Sequence, residues 1–397
     1  MSEKPAGWII LLLASVIATT PLAIDMYLPA MPLMAQQLDT TIGMVQQSLS
    51  IFLAFFGVSM LICGPLADNL GRRPLAIFGL TGFVLASIAL SLVSSIEWFL
   101  VWRAVQALCG AAATVVVPGI IRHIYQEHTA KGMSYVSMIM MLAPLLAPAI
   151  GSGILWLASW QMIFVALAGY ALLILLLSWR YLPETKTVSS QTAKPSFLSG
   201  YKVVFSNASA RPDIATSMFA SFSFFCFLTA VPFVYIKFFG VNEQQFSLLF
   251  GVNVVMLMLA NFINSRLVVR LGPQRMLRAG LAVAIVSASA LAMFNFWQFG
   301  LAYTVLSIAP LMASLSLIAT NADAMILMKF PDNSGTATAV IGTLRFGIGS
   351  LSGPLLALFY NGTPLPFALL MLSGVLCIAV SQLWHKTTAP AVTATAD

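Results

Sequence analysis

The chain has 397 residues, of which 60% are hydrophobic and only 8% are charged. A soluble protein of this length needs far more charge on its surface, so the composition excludes an ordinary soluble protein and indicates an integral membrane protein. The formal net charge of +7 does not indicate a nucleic-acid partner, because the sequence has no long basic tract and no basic-aromatic face.

Apolar runs of about 20 residues, the length that crosses a bilayer, recur along the whole sequence. The first run follows a short polar start without a basic n-region or a clear cleavage site, so we interpret it as a retained helix and not as a signal peptide. The sequence predicts an all-α integral membrane fold with twelve transmembrane helices. These spans are numbered 1 to 12 and lie near residues 8–29, 45–67, 75–95, 98–120, 133–157, 161–181, 213–237, 246–269, 276–295, 298–327, 336–360 and 366–384.

The distribution of lysine and arginine predicts the orientation of the spans. With the N-terminus placed in the cytosol, sixteen of the 19 basic residues fall in cytosolic segments. Of the others, Arg103 and Arg345 lie inside spans and Lys237 faces the periplasm. The eight tryptophans fall at or near predicted span ends, where aromatic residues anchor helices. Both termini are therefore predicted to be cytosolic.

A polar stretch after span 6 predicts two pseudo-symmetric halves. Arg270-Leu271-Gly272, between spans 8 and 9, is a degenerate copy of Asn69-Leu70-Gly71, between spans 2 and 3. Such internal similarity is typical of transporters built from parallel repeats. The predicted domains are an N-terminal six-helix bundle (1–182), a cytosolic linker (183–211), a C-terminal six-helix bundle (212–386) and a disordered tail (387–397).

The segment GPLADNLGRRP, from Gly64 to Pro74, interrupts the apolar sequence between spans 2 and 3. We expect Asp68 to end one helix, Gly71 to permit the turn, and the arginines to stay in the cytosol. The segment resembles the signature loop of the major facilitator superfamily, G-x-L-a-D-R/K-x-G-R-R/K. One position departs from that pattern, because Asn69 stands where a base is usual.

The signature loop is interpreted as a conformational latch formed by Gly64, Asp68, Gly71, Arg72 and Arg73. An acid at a helix end can pair with a neighbouring base or with a helix N-terminus. The resemblance implies that the start of span 11 lies nearby, where the capping residues are Asp332, Asn333 and Ser334. The alternative is a loop that only sets membrane orientation and follows an ordinary helix-ending acid.

Asp25 and Arg103 are the acid and base predicted to lie in the outer half of the membrane. Counting helical rise places Asp25 about 27 Å from the cytosolic end of span 1, and Arg103 roughly 8 Å below the periplasmic face. We expect the two to form a pair, because neither charge is tolerable alone in hydrocarbon. A conformational change that parts them would couple transport to protons. The alternatives are a static ion pair, or an Asp25 that water reaches at the helix end.

Two further motifs carry the resemblance. The sequence from Arg103 to Ala111 is similar to the helix-4 motif R-x-x-Q-G-x-G-a-A, matching it at Arg103, Gln106 and Ala111, and in the family this arginine is linked to proton transfer. Span 5 resembles the antiporter motif G-P-x-x-G-G through a set of prolines and glycines. Prolines bend a helix and small residues allow close packing, so this span could restrict leak, and the alternative is a generic small-residue interface. The set comprises Pro144, Pro148, Gly151 and Gly153.

Several polar, aromatic and methionine residues are candidates for the lining of a substrate cavity. Arg345 in span 11 could meet an anionic group of a substrate, pair with Asp323 on span 10, or extend along the helix. The other candidates combine aromatic, methionine and amide side chains, which suit amphipathic molecules, and plain helix packing is the alternative for each. They are Tyr27, Gln46, Gln106, Met138, Met141, Phe224, Asn253, Asn261 and Asn321.

The sequence contains no catalytic or metal-binding motif. It has no Walker loop, so ATP is not the direct energy source. His123 and His128 are interpreted as surface residues and not as a metal pair. The four cysteines lie far apart in apolar runs, which predicts buried thiols and neither a disulfide framework nor a zinc site. We therefore expect no enzymatic activity and no cofactor.

The whole pattern resembles the drug:proton antiporters of the major facilitator superfamily, and within them the Bcr/CflA group. Asp25 to Ala30 and Pro183-Glu184-Thr185 carry the closer match, together with the motifs of spans 4 and 5. The resemblance implies a monomer in the bacterial inner membrane whose two bundles rock about a central site. It implies export of small amphipathic compounds in exchange for protons. The alternatives are a dedicated exporter of nucleosides or amino acids, and a non-transporting receptor on a carrier scaffold.

Overall fold

The computed structural model describes residues 7–126, 129–140, 142–185, 202, 204–330 and 334–388. In these ranges the regular structure is helical, which confirms the predicted all-α class. The first half contains α1 (Gly7–Asp25), α2 (Met31–Gln37), α3 (Ile42–Leu70), α4 (Arg72–Leu92), α5 (Ile96–Thr114), α6 (Val117–Tyr125), α7 (Thr129–Met140), α8 (Ala143–Leu157) and α9 (Gln161–Tyr181). The second half contains α10 (Arg211–Pro232), α11 (Glu243–Leu271), α12 (Pro273–Phe296), α13 (Leu301–Lys329), α14 (Ser334–Gly349), α15 (Ser352–Leu358) and α16 (Leu365–Thr388).

The helices account for the predicted membrane spans. Eleven helical segments within the described ranges are long and apolar enough to cross a membrane, and α8 is a shorter apolar helix. Helices α7 and α8 flank residue 141 and together occupy the position of predicted span 5. The twelve-span arrangement is therefore confirmed.

Five spans are broken near a proline into two consecutive helical segments. Proline lacks a backbone N–H and clashes with the preceding turn, so it ends one helix, yet its fixed φ suits the first turn of the next. Spans 4 and 5 show this directly, because α6 and α8 each carry proline at their second position. The prolines at these breaks are Pro29, Pro118, Pro144, Pro232 and Pro354.

Two tight turns occupy equivalent positions in the two halves. Gly71 joins α3 to α4 with φ +103°, and Gly272 joins α11 to α12 with φ +79°. Both angles lie in the left-handed region that favours glycine. The two copies of the degenerate repeat therefore make the same turn. We call the end of the bundle that holds these turns the inner end and the opposite end the outer end.

The buried apolar residues show how the halves meet. One large cluster crosses both halves and includes the outer ends of α3 and α11, whereas two smaller clusters near the inner end each belong to a single half. Polar contacts cross at the same level, since the Gly353 backbone N–H donates to Ser50 Oγ at 2.9 Å. A Cβ atom on Gly43 would lie 3.0 Å from the Ala357 Cβ at the outer end. In the described part of the chain, the halves are thus joined toward the outer end.

Candidate functional site

Arg103 lies on α5 and is fully buried. One guanidinium nitrogen, Nη1, donates to the backbone carbonyl of Ala23 at 3.1 Å and to Gln106 Oε1 at 2.6 Å. Gln106 Nε2 donates in turn to Ser87 Oγ at 2.8 Å. Because a buried charge needs hydrogen-bond partners, this network holds the guanidinium against the last turn of α1.

Two aromatic rings enclose the same guanidinium. The Arg103 Cζ atom lies 4.5 Å from the ring centroid of Tyr27 and 4.5 Å from that of Phe52. Both distances are typical of cation–π contacts, which gain strength where water is excluded. The Tyr27 hydroxyl is fixed by Ser48 Oγ at 3.1 Å. We call Tyr27, Phe52, Gln106 and the Ala23 carbonyl the arginine cage.

Asp25 ends α1 and is only 4% exposed. The predicted ion pair with Arg103 is wrong for this arrangement. Among the described residues, Asp25 Oδ1 has no hydrogen-bond partner, and the same is true of Arg103 Nε and Nη2. The guanidinium reaches α1 at the carbonyl of Ala23, two residues before the acid. Asp25 is therefore a buried carboxyl group without a partner at its Oδ1 atom among the described residues, which makes it a candidate functional residue in a membrane protein.

The arginines of the signature loop contact their own half of the molecule. The Arg72 backbone N–H donates to Glu184 Oε1 at 3.2 Å, and its Nη1 donates to the carbonyls of Gly119 (3.1 Å) and Thr185 (3.2 Å). Arg73 Nη2 donates to the carbonyl of Trp179 at 2.6 Å. These contacts attach the signature loop to α6, to the last turn of α9 and to the segment that follows α9.

The other side of the predicted latch lies outside the described residues. The Asp68 side chain, Asp332 and Asn333 all belong to the part that is not described. Gly64 is described and lies in α3, where an added Cβ atom would meet nothing within 4 Å. Helix α3 does pack on span 11, because Gly57 lies against Phe346 of α14. The latch contact of Asp68 with the start of span 11 stays a prediction.

The antiporter motif on α8 lies where the halves meet. A Cβ atom on Gly151 would overlap the carbonyl oxygen of Met26, whereas one on Gly153 would meet nothing within 4 Å. Ser247 Oγ of α11 is 2.6 Å from Ser152 Oγ and donates to the Pro148 carbonyl at 2.9 Å. Helix α8 therefore packs closely on the segment after α1 and bonds to the opposite half. Pro144 begins this helix near residue 141.

Arg345 forms the ion pair that was one of its three predicted alternatives. Its Nη1 lies 2.8 Å from Asp323 Oδ2, and its Nε donates to Ser221 Oγ at 2.9 Å. Ser217 Oγ donates to the other carboxylate oxygen of Asp323 at 2.7 Å. The two charged side chains are 31% and 25% exposed, so the pair is open on one side. It connects α10, α13 and α14 within the second half.

The remaining cavity candidates are spread over several helix contacts. Phe224 packs edge-on against Phe225, and Gln46 Nε2 donates across the halves to the Thr229 carbonyl at 3.3 Å. The Met138 side chain and residue Met141 lie outside the described residues. Three asparagines bond within the second half: Asn253 Nδ2 to the Leu249 carbonyl, Asn261 Nδ2 to Ser316 Oγ and Asn321 Nδ2 to Asn264 Oδ1. Among the described candidates, these contacts lie in several different helix interfaces, and a shared substrate cavity stays a prediction.

Three further residues form contacts that the sequence did not predict: Phe52, Glu184 and Asp213. Asp213 is fully buried and pairs with Lys329 at 2.7 Å, tying the start of α10 to the end of α13. Asp213 and Lys329 both lie at predicted cytosolic ends of spans, and this shared position could have indicated the pair. No sequence signal separates Phe52 from the many other phenylalanines. No group of His, Cys, Asp or Glu that could hold a metal occurs among the described residues.

Comparison with known proteins identifies the family. A sequence model of the Major Facilitator Superfamily matches residues 13–354 and residues 216–396. A bicyclomycin resistance protein homolog from Haemophilus influenzae is 31% identical over 389 residues, which cover 96% of both chains. A chloramphenicol resistance protein from Pseudomonas aeruginosa is 33% identical over 375 residues, covering 88% of this chain and 86% of its own.

These matches and the helical architecture define a multi-pass membrane transporter and not an enzyme. The chain belongs to the Major Facilitator Superfamily. The two resistance proteins confirm the predicted resemblance to the drug-resistance transporters of that superfamily.

Solved structures of low sequence identity share the fold. A bacterial homolog of the human lysosomal transporter Spinster superposes with a TM-score of 0.71 at 14% identity, covering 96% of this chain and 97% of its own. A D-xylose-proton symporter superposes with a TM-score of 0.71 at 15% identity, covering 94% of this chain and 97% of its own. At such identities the similarity concerns the fold alone.

Proposed function

We propose that the protein exports small amphipathic compounds, including antibiotics, in exchange for protons. It works as a monomer in the bacterial inner membrane, with the inner end and both termini in the cytosol. The observation that carries the proton coupling is the buried Asp25 carboxyl group beside a caged Arg103. Export is supported by relatives named for resistance to bicyclomycin and chloramphenicol.

The two halves, residues 1–182 and 212–386, move as the units of alternating access. The apolar core joins them toward the outer end and separates into one cluster per half toward the inner end. A compound then enters the space between the halves from the cytosolic side. Closure of the inner end, with the signature loop as latch, opens the contacts between α3 and the α14–α15 span and releases the compound outside.

Proton coupling uses the short distance along α1 between Ala23 and Asp25. In the present arrangement Arg103 is held by the arginine cage and not by the carboxyl group. A small movement of α1 against α5 can exchange the Ala23 carbonyl for the Asp25 carboxylate. An approaching guanidinium favours proton release, so this movement couples proton release to the conformational change.

The energy source is the proton gradient, and no cofactor takes part. The Asp323–Arg345 pair, which is partly exposed, presents both charges on the second half. Arg103 neutralises much of the field that Asp25 could offer a cationic drug. We therefore expect the preferred compounds to be neutral or zwitterionic.

Inverted membrane vesicles with an acid interior test this function. A panel of antibiotics, nucleosides and amino acids is added while a fluorescent dye reports the pH gradient. Several unrelated drugs should collapse the gradient with the native protein and with Asp39→Asn, a matched control at an exposed position. The collapse should be lost with Asp25→Asn. Collapse by a single metabolite class would replace multidrug export by the dedicated exporter, and no response to any compound would contradict transport of these molecules.

A further inference from the structure

A two-lobed cavity at the outer end is not used by the proposed transport cycle. Its first lobe has a volume of about 230 Å³ and is lined by α3, by the π-helical turn Phe233–Phe238 and by α15 and α16. The second lobe, of about 370 Å³, lies against α2 and the connection to α3. The lobes share Ile42, Phe233 and Lys237, so they meet. We call them together the outer cavity.

Gln46 offers the first lobe an unused hydrogen-bond acceptor. The residue is only 4% exposed, and its amide nitrogen is occupied by the Thr229 carbonyl at 3.3 Å. Its Oε1 atom has no partner among the described residues. A buried acceptor without a donor costs free energy, so a rotation of the Gln46 side chain that brings Oε1 to a ligand N–H or O–H in the lobe would be favoured.

Lys237 gives the first lobe a positive charge. It is the one charged residue among those that line the lobe, and it makes no ion pair with the described residues. The acid of the outer cavity, Asp39, lines the second lobe instead. Lys237 belongs to a π-helical turn, a rare conformation that is found frequently at functional sites.

We propose that the first lobe of the outer cavity binds an amphipathic organic anion that arrives from the outer side. The anionic group pairs with the Lys237 ammonium group. The apolar body lies among Phe233, Leu356 and Phe367, and a donor group of the ligand bonds to Gln46 Oε1. An apolar lining with a few convergent polar groups is the usual composition of a small-molecule site.

The bound anion holds the outer end closed. Gln46 and Ile42 belong to the first half, whereas Lys237 and the apolar residues belong to the second, so a ligand touches both only when the halves are together. A ligand shifts a conformational equilibrium by its difference in affinity for the two states. Occupancy therefore inhibits transport. This consequence rests on the proposed function, but the binding itself does not.

The binding test uses 4-(4-aminophenyl)butyrate, whose carboxylate and aniline group match the two polar partners. It is titrated calorimetrically into the full-length protein in lipid nanodiscs. We expect Lys237→Gln to bind about tenfold more weakly and Lys237→Arg to bind like the native protein, as a charge-assisted contact requires. Lys202→Gln, which removes an exposed lysine near the inner end, is the control and should not change affinity.

Changes to the probe test the two contacts separately. The corresponding amide, which lacks the negative charge, should bind about tenfold more weakly, and 4-phenylbutyrate, which lacks the donor for Gln46, should bind several-fold more weakly. Equal affinity of the amide and the carboxylate, or undiminished binding by Lys237→Gln, would overturn the proposal.

A cross-linking test addresses closure without depending on transport. Gly43→Cys and Ala357→Cys are introduced into a chain whose four native cysteines are replaced by alanine, and disulfide formation is followed under oxidant. The probe should accelerate cross-linking, and adding Lys237→Gln should remove the acceleration. If the probe binds and leaves the rate unchanged, the closing role is wrong. If binding and closure hold while no proton-coupled export is found, the site stands and only the proposed function fails.

Discussion

At the residue scale, Arg103 is a buried charge that is held by uncharged partners. A carbonyl, an amide oxygen and two aromatic rings surround it, and none of them carries a formal charge. This arrangement keeps the guanidinium in the membrane interior without a permanent counter-ion. In the proposed transport cycle it also leaves Asp25 able to exchange a proton, which a permanent ion pair would oppose.

Replacing Arg103 by methionine tests the arginine cage. The change leaves the Ala23 carbonyl and Gln106 Oε1 without their donor, so we expect a loss of about 2–4 kcal/mol in stability. Thermal unfolding in detergent measures the loss. Arg266→Met is the control, because Arg266 is exposed and its described ring contact with Phe262 lies at 5.4 Å. Equal stability of the two variants would contradict the cage.

The sequence predicted the burial of both charges, but it also predicted an ion pair between them that this arrangement does not contain. Helical rise gives the depth of Asp25 and Arg103 in the membrane, because 1.5 Å per residue accumulates reliably. It does not give the rotation of each helix or the rotamer of a long side chain. The guanidinium consequently meets Ala23 and two rings instead of the carboxyl group. Because the rotation of the helix and the side-chain rotamer were unknown, the Asp323–Arg345 pair was only one of three alternatives for Arg345.

At the element scale, the packing of α8 requires glycine at one of its two motif positions, whereas the other position has room for a side chain. Gly151 lies against the Met26 carbonyl, where no side chain fits, whereas Gly153 has open space. The backbone of the segment after α1 therefore approaches α8 closely at Gly151 and not at Gly153. This close approach is the type of contact that small residues permit between membrane helices.

The pair Gly151→Ala and Gly153→Ala measures this dependence. The first change forces the backbones apart and should cost about 1–3 kcal/mol, with a comparable loss of transport. The second should change stability by less than about 1 kcal/mol, and in the stabilising direction, because alanine favours a helix. Thermal unfolding and a transport assay on both variants provide the comparison. If the first is as stable and active as the second, the close approach at Gly151 has no role.

The number and order of the helices were predictable, and the helix breaks were not. Hydropathy identifies any apolar run that is long enough to span, and it averages over local geometry. Pro118 and Pro144 begin new helices, whereas Pro21, Pro148 and Pro310 lie inside continuous ones. Which outcome occurs depends on whether neighbouring groups satisfy the freed carbonyl, and this is set by tertiary contacts.

At the scale of the whole molecule, the two halves share a core at the outer end and have separate cores at the inner end. The sequence predicted both halves and their orientation from apolar length and basic loops. It could not predict which end is closed. The two conformations of a carrier have the same sequence and differ by only a few kcal/mol, so no local pattern distinguishes them.

The outer closure predicts that a cross-link between the halves stops transport. Gly43 and Ala357 face each other closely enough for cysteines to form a disulfide after a small adjustment. Gly43→Cys with Ala357→Cys, in the cysteine-free chain, should lose nearly all transport under oxidant and regain it with a reductant. Each single variant is the control and should be insensitive to both reagents. Full transport by the cross-linked protein would contradict alternating access at this end.

Proton coupling through Asp25 is the central claim, and gradient-driven transport in proteoliposomes tests it most directly. Purified native protein and Asp25→Asn are compared in two assays with one exported compound: accumulation driven by an imposed pH gradient, and exchange of labelled for unlabelled compound without a gradient. We expect the native protein to perform both, and Asp25→Asn to retain exchange and lose gradient-driven accumulation. Accumulation at the native rate by Asp25→Asn would contradict the account.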